Sequence, residues 1–152
     1  MNKKIIIGVI LAALIPAVVY TASPLFFNRT INEEIPIAKT DATETQVVAM
    51  VSGNFIGVND GIHNAEGTAK VLFLDDSKIL RLEDFKATNG PDLYVYLATD
   101  EKATDYVILG PLKANIGNQN YQIPEGTDLS KYDTALVWCK QFSVLFGHAN
   151  LS

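Results

Sequence analysis

Short β-rich segments, separated by turn residues every eight to twelve positions, constrain the fold of this chain more than any other feature. Stretches such as TAKVLFL (residues 68–74) and LYVYLAT (residues 93–99) are rich in β-branched, aromatic and leucine residues. Gly, Pro, Asp and Asn cluster between such stretches. No long segment of helical period interrupts them. The pattern predicts an all-β domain, an antiparallel β-sandwich, over residues 47–152.

The predicted strands follow from β-branched runs and from alternation of polar and apolar residues. Gly110 and Pro111 indicate a bulge or an edge in one of them. The strands are expected at residues 47–51, 68–74, 78–82, 93–99, 106–112, 120–123, 134–140 and 142–146.

Residues 1–27 have the composition of a membrane or export segment. Lys3 and Lys4 precede 23 uncharged residues, of which residues 5–20 are strongly apolar. This length lies between the apolar core of a secretory signal, about 7–15 residues, and the roughly 20 residues of a membrane span. We expect a retained N-terminal transmembrane helix with the domain outside the cytoplasm, N-in and C-out. If the segment is cleaved, the domain is secreted.

Residues 28–46 are polar and lack a steady apolar period, which predicts a flexible linker. From residue 31 onward the chain has 9 basic and 17 acidic residues, a balance of −8. A domain of this charge lacks the basic face that binding to nucleic acid requires. The negative charge is typical of a soluble domain outside a membrane.

Cys139 is the only cysteine of the chain. Thiols of exported domains usually pair, and one cysteine allows no internal disulfide. Cys139 is therefore a buried inert thiol, one half of an intermolecular bridge, or a working thiol or ligand. On a strand it points away from Trp138, so its burial depends on which face meets the core.

Motifs for hydrolysis and for phosphate binding are missing from the sequence, so enzymatic activity stays uncertain. Cys139, His63, His148 and Met50 include the ligand types of a blue-copper site. However, cupredoxins place Cys, His and Met in one short loop, whereas here His148 follows Cys139 by nine positions and no Met comes after it. A haem held by axial Cys, His or Met is left open.

Three stretches carry a family resemblance. SGNF (residues 52–55) precedes His63, ILRLEDFKATNGPDLYVYLA (79–98) follows, and a long stretch containing VWCKQF (137–142) ends the domain. In this order they resemble the DM-thirteen electron-transfer domain, seen in Skeletor-type proteins. The resemblance implies a β-sandwich related to DOMON domains, several of which bind haem or sugars. It also implies a redox role for Cys139, and places Asp92, Trp138 and His63 at motif positions.

The sequence leaves two functions open. The first is a membrane-tethered redox or electron-transfer module in which Cys139, with His63 as a second candidate ligand, holds haem or a metal or acts as a bare thiol toward a redox partner protein. The second is a non-catalytic adhesion module in which loops at residues 59–67 and 114–120 bind a protein or glycan, and Cys139 only packs.

Overall fold

The computed structural model describes residues 2–22, 27–36, 48–74 and 77–152. Within these residues the chain forms one helix and nine strands. In chain order they are α1 (Lys3–Ala22), β1 (Val48–Asn54), β2 (Ile56–Gly57), β3 (Ala65–Leu74), β4 (Ser77–Ala87), β5 (Leu93–Ala98), β6 (Tyr106–Pro111), β7 (Gln119–Ile123), β8 (Thr134–Cys139) and β9 (Val144–Asn150).

The strands form two antiparallel sheets. One sheet has the order β1-β3-β4-β7, and the other has the order β2-β9-β8-β5-β6. The chain changes sheet at the buried Phe55, where β1 ends and the short β2 begins. The prediction of an all-β fold with two packed antiparallel sheets is confirmed.

The core lies between the two sheets and follows the period of two along each strand. In β8, Ala135, Val137 and Cys139 all belong to the main core cluster. They meet Leu80 and Leu82 of β4, which the other sheet contributes to the same cluster. The core is therefore on the cysteine side of β8.

A segment predicted to lie in the flexible linker instead packs against the domain. The N–H of Ile31 donates to the carbonyl of Ile116 (3.0 Å), and the N–H of Glu33 donates to the carbonyl of Asn118 (2.9 Å). We call residues 29–34 the strap. The polar strap docks because its backbone and side chains find hydrogen-bond partners on a distant loop. Residues 37–46 of the predicted linker and residue 47 of the first predicted strand lie outside the described residues.

Helix α1 is 20 residues long and begins with Lys3 and Lys4. Among the helices of the described residues, none is long and apolar enough to cross a membrane. The predicted transmembrane helix is therefore not supported.

Candidate functional site

A small pocket of ≈ 280 Å³ opens at the end of β8, beside the turn into β9. The loop at residues 58–64 and the turn at residues 89–91 form its other sides. Its wall is apolar apart from Asn89, His63 and Cys139. The strand and loop side chains that line it are Ile62, His63, Cys139, Phe142, Val144 and Phe146.

Cys139 forms part of the inner wall of this pocket. It is the last residue of β8 and lies opposite Leu93 of β5 and Val144 of β9. Its thiol is free, and the residue is only 1% exposed. Cys139 thus belongs to the buried core and also lines the pocket.

His63 enters the same pocket from the loop at residues 58–64, and Asp60 fixes its orientation. Oδ1 of Asp60 accepts the backbone N–H groups of His63 (2.6 Å) and Ile62 (2.9 Å). Oδ2 of Asp60 lies 2.6 Å from Nδ1 of the imidazole. The His63 ring also packs edge-on against Phe146, with ring centroids 4.7 Å apart.

The same hydrogen bonds define the protonation of the pair. The backbone N–H of His63, then its imidazole and the N–H of Ile62, hold the pKa of Asp60 well below its usual value of 3.8. Asp60 is therefore a carboxylate at neutral pH and only accepts hydrogen bonds. Nδ1 of His63 must therefore carry a proton, and in the neutral imidazole Nε2 is the nitrogen with the lone pair.

The second histidine is remote from this pocket. His148 of β9 lies opposite Leu136 and Ile56, with Nδ1 3.6 Å from Oε2 of Glu101. It lines a different cavity, together with Leu145. The structure thus brings Cys139 and His63 together and separates His148 from both.

The donor set and the size of the pocket argue against the larger cofactors. A blue-copper site needs two imidazoles beside the thiolate, and this pocket offers one. Across the part of the chain that the structure describes, no three His, Cys, Asp or Glu side chains are placed to hold a metal ion. Met50 lies in β1, with its side chain outside the described residues. The pocket has a volume of ≈ 280 Å³, which lies below the roughly 300–1,000 Å³ of sites for drug-sized ligands. It is therefore too small for a haem macrocycle.

A family model described as "Electron transfer DM13" matches residues 54–151. The chain belongs to this DM13 family. The match covers most of the chain and includes every residue of the pocket, and the family resemblance drawn from the sequence is confirmed. No curated protein and no solved structure matched the chain. Membership of this family relates the domain to electron transfer.

The other two motif positions of the DM13 domain lie outside the pocket. Trp138 is half-buried on the opposite face of β8, where it packs with Tyr96 and Leu136. Asp92 lies in the turn before β5, and its backbone carbonyl accepts the N–H of Lys140 (2.9 Å). Asp92 lines a neighbouring cavity of ≈ 540 Å³ instead. The hydrogen bond from Lys140 to the carbonyl of Asp92 is a structural contact of this turn.

Sequence reasoning missed Asp60 and Phe146, which hold His63 from two sides. The signal for Asp60 was present in the stretch NDGIH (residues 59–63). An aspartate followed by glycine favours a turn in which the carboxylate binds the next backbone N–H groups, and a histidine three positions on then falls within reach. Phe146 carried no such signal, because a strand aromatic is ordinarily core.

Proposed function

We propose that the DM13 domain carries electrons through the thiol of Cys139 itself, without haem or metal. The observation that supports this most is the position of Cys139 in the wall of a pocket that it shares with His63. A cysteine that only filled the core would have apolar neighbours on every side. Here the residue borders a pocket, and among the described residues that line this pocket the one ionisable group besides Cys139 is the imidazole of His63.

The proposed step is thiol–disulfide exchange. The thiolate of Cys139 attacks one sulfur of a disulfide supplied by a partner protein or a small thiol compound. A new S–S bond forms to Cys139 as the disulfide of the partner breaks, and the leaving sulfur takes up the proton that Cys139 lost. One thiol of a dithiol in a second partner then attacks the Cys139 sulfur of the mixed disulfide and releases the first partner with both of its sulfurs as thiols. The other thiol of that dithiol attacks the second partner's sulfur in the new mixed disulfide, which restores the Cys139 thiol and leaves the second partner as a disulfide. Two electrons have then passed from the second partner to the first.

The single cysteine suits a carrier between two partners. With no second cysteine in the chain, the mixed disulfide cannot resolve internally. It persists until an external thiol arrives. This is the behaviour of a relay and differs from that of a dithiol oxidoreductase, which releases its partner through its own second cysteine.

The alternative adhesion function has less support. One of the two loops on which it depended, residues 114–120, is covered by the strap. The N–H of Ile116 donates to the carbonyl of Arg29 (3.1 Å), and the carbonyl of Ile116 accepts the N–H of Ile31 (3.0 Å). The other loop, residues 59–67, contains Asp60 and His63 and builds the pocket.

The exchange can be tested on the full chain with 2-hydroxyethyl disulfide and intact-mass detection. The unaltered protein should form a mixed disulfide while folded and lose it on addition of a thiol. Cys139→Ser should form none. Val137→Ala is the matched control, because Val137 lies on the same face of β8, is 0% exposed and does not line the pocket. This control should react like the unaltered protein. An unaltered protein that stays unmodified until it unfolds would refute the function.

We also propose that the domain works outside the cytoplasm. Lys3 and Lys4 followed by the apolar residues 5–20 support an export segment. The mass of the protein recovered outside the cytoplasm should show whether this segment is removed. Recovery of the full-length chain only from the cytosol would contradict export.

A further inference from the structure

We propose that Asp60 is a positioning residue that holds His63 as the proton acceptor for the thiol of Cys139. This inference rests on the thiol chemistry proposed above and adds to it the group that generates the thiolate. Two observations support this role of Asp60, namely the geometry of the loop at residues 58–64 and the pocket that His63 and Cys139 both line.

The loop is built to hold one imidazole orientation. Besides the three hydrogen bonds to Asp60, the carbonyl of His63 accepts the N–H of Asn59 (3.0 Å), and the N–H of Asn64 donates to Oγ1 of Thr88 (3.1 Å). Asn59 itself has a φ of 53°, a conformation that asparagine tolerates better than most residues. The backbone of the loop is therefore held by hydrogen bonds at both sides of His63, and the imidazole by Asp60 and Phe146.

The proton balance of the step follows from the tautomer. Nδ1–H of His63 donates to the Asp60 carboxylate, so Nε2 is the nitrogen that can receive the proton of the thiol. When the S–H proton moves to Nε2, the ring becomes an imidazolium and Cys139 becomes a thiolate. The negative charge of Asp60 stabilises the imidazolium. The imidazolium then returns the proton to the leaving sulfur of the partner disulfide.

Other charged groups near Cys139 are directed elsewhere. The next residue, Lys140, places Nζ 5.0 Å from the ring centroid of Tyr94, on the opposite face of the sheet. Asp92 lines the neighbouring cavity. Among the described residues of the pocket wall, His63 is thus the one base available to the thiol, and Asp60 is the acid group that faces it.

Asp60→Asn tests the positioning role. The amide oxygen can still accept the N–H groups of Ile62 and His63, but the amide nitrogen can only donate to Nδ1. His63 must then carry its proton on Nε2 and can no longer accept one from Cys139. We expect ¹⁵N NMR to show the switch of tautomer, which is simple to assign because the chain has two histidines. The exchange rate of Cys139 near neutral pH should fall about 10- to 100-fold.

A second variant and two controls complete the experiment. His63→Gln removes the base and should lower the rate by a similar factor and change the shape of the pH–rate profile. Asp128→Asn is matched to Asp60→Asn, because Asp128 also caps a loop, accepting the N–H (2.9 Å) and the hydroxyl (2.6 Å) of Ser130, with no histidine attached. His148→Gln assigns the NMR signals. Both controls should exchange at the unaltered rate.

The outcomes separate the two proposals. Slower exchange in Asp60→Asn and His63→Gln, with unaltered controls, supports the positioning role. If the unaltered protein exchanges through Cys139 but both variants keep its rate and pH profile, the role of Asp60 and His63 is refuted and the thiol function stands. If Cys139 of the folded, unaltered protein does not react at all, the thiol function fails, and the role of Asp60 fails with it.

Discussion

Cys139 unites two properties that rarely occur together in one residue. It is buried to 1% exposure among core residues, and it also borders a pocket that reaches the surface. Exposed thiols are oxidised or bridged without selectivity, whereas fully packed thiols are inert. Access through one small apolar pocket would restrict exchange to partners whose sulfur can enter it.

The stability of two alanine variants separates packing from chemistry. Cys139→Ala removes one atom beside an existing pocket and should lower the free energy of unfolding by about 1 kcal/mol. Val137→Ala leaves a new cavity in the closed core and should cost about 2 kcal/mol. Urea unfolding followed by Trp138 fluorescence measures both. A larger loss for Cys139 than for Val137 would mean that the cysteine serves mainly as core filler.

Gly90 sets the width of the pocket. A Cβ at this position would lie 2.8 Å from Cζ of Phe146 and 2.8 Å from Cδ2 of Leu93, so both side chains would have to shift. We expect Gly90→Ala to cost about 1–3 kcal/mol of stability and to slow the exchange of Cys139, because the displaced Phe146 no longer supports His63. The exchange rate below the unfolding transition measures the second effect. An unaltered rate would show that the width of the pocket does not limit access.

At the scale of elements, the strap shows what composition alone does not reveal. Its residues are mostly polar, which predicted a linker, yet two partners of Glu33 lie 80 and 87 positions away. Oε1 of Glu33 lies 2.8 Å from Nζ of Lys113, and Oε2 of Glu33 accepts the N–H of Asn120 at 2.7 Å. Gly117 is required there, since a Cβ would lie 2.0 Å from the carbonyl oxygen of Ile31. Such pairings depend on the folded loop and have no local signal.

Glu33 should make the strap sensitive to acid. Burial raises the pKa of Glu33, but the hydrogen bonds from Lys113 and from the N–H of Asn120 lower it below the ordinary 4.5. A carboxyl whose pKa is lower in the folded state stabilises the protein above the unfolded pKa and loses this effect as the pH falls through the folded one. Glu33→Gln should therefore cost about 1 kcal/mol at neutral pH.

The difference between Glu33→Gln and the unaltered protein should shrink as the pH falls below 4.5, the ordinary pKa of the side chain. Urea unfolding across this pH range measures the difference. Glu34→Gln is the control, because Glu34 is its exposed neighbour in the strap. A constant difference at all pH values would contradict the ionic contribution of Glu33.

The strands themselves were largely predictable, because alternation and turn residues are local properties. The prediction failed where local pattern is weak. The two-residue β2 was not predicted, and β9 begins at Val144 instead of residue 142, because Phe142 is 62% exposed in a turn that Ser143 completes with a φ of 54°.

Cys139 and His63 were each named from the sequence, but their proximity was not foreseen because 76 positions separate them.

At the scale of the whole molecule, topology brings these two residues together. Strand β2 pairs with β9, β9 pairs with β8, and the N–H of Val58 donates to the carbonyl of Phe146 (3.2 Å). The loop that follows β2 therefore lies at the end of β8, where Cys139 is opposite Val144. The change of sheet after β1, which makes β2 an edge strand of the second sheet, is what places His63 in the wall of the pocket that Cys139 also lines.

The rate at which a methylthiolating reagent modifies Cys139 of the full chain, measured at urea concentrations below the unfolding transition, tests the central claim most directly. A thiol reached through the pocket of the native protein reacts at a rate that does not change with urea. A thiol exposed only by global opening reacts at a rate that rises exponentially with urea, with the slope of the unfolding equilibrium. We predict the first result, with no reaction in Cys139→Ser. The second result would contradict electron transfer through this sulfur.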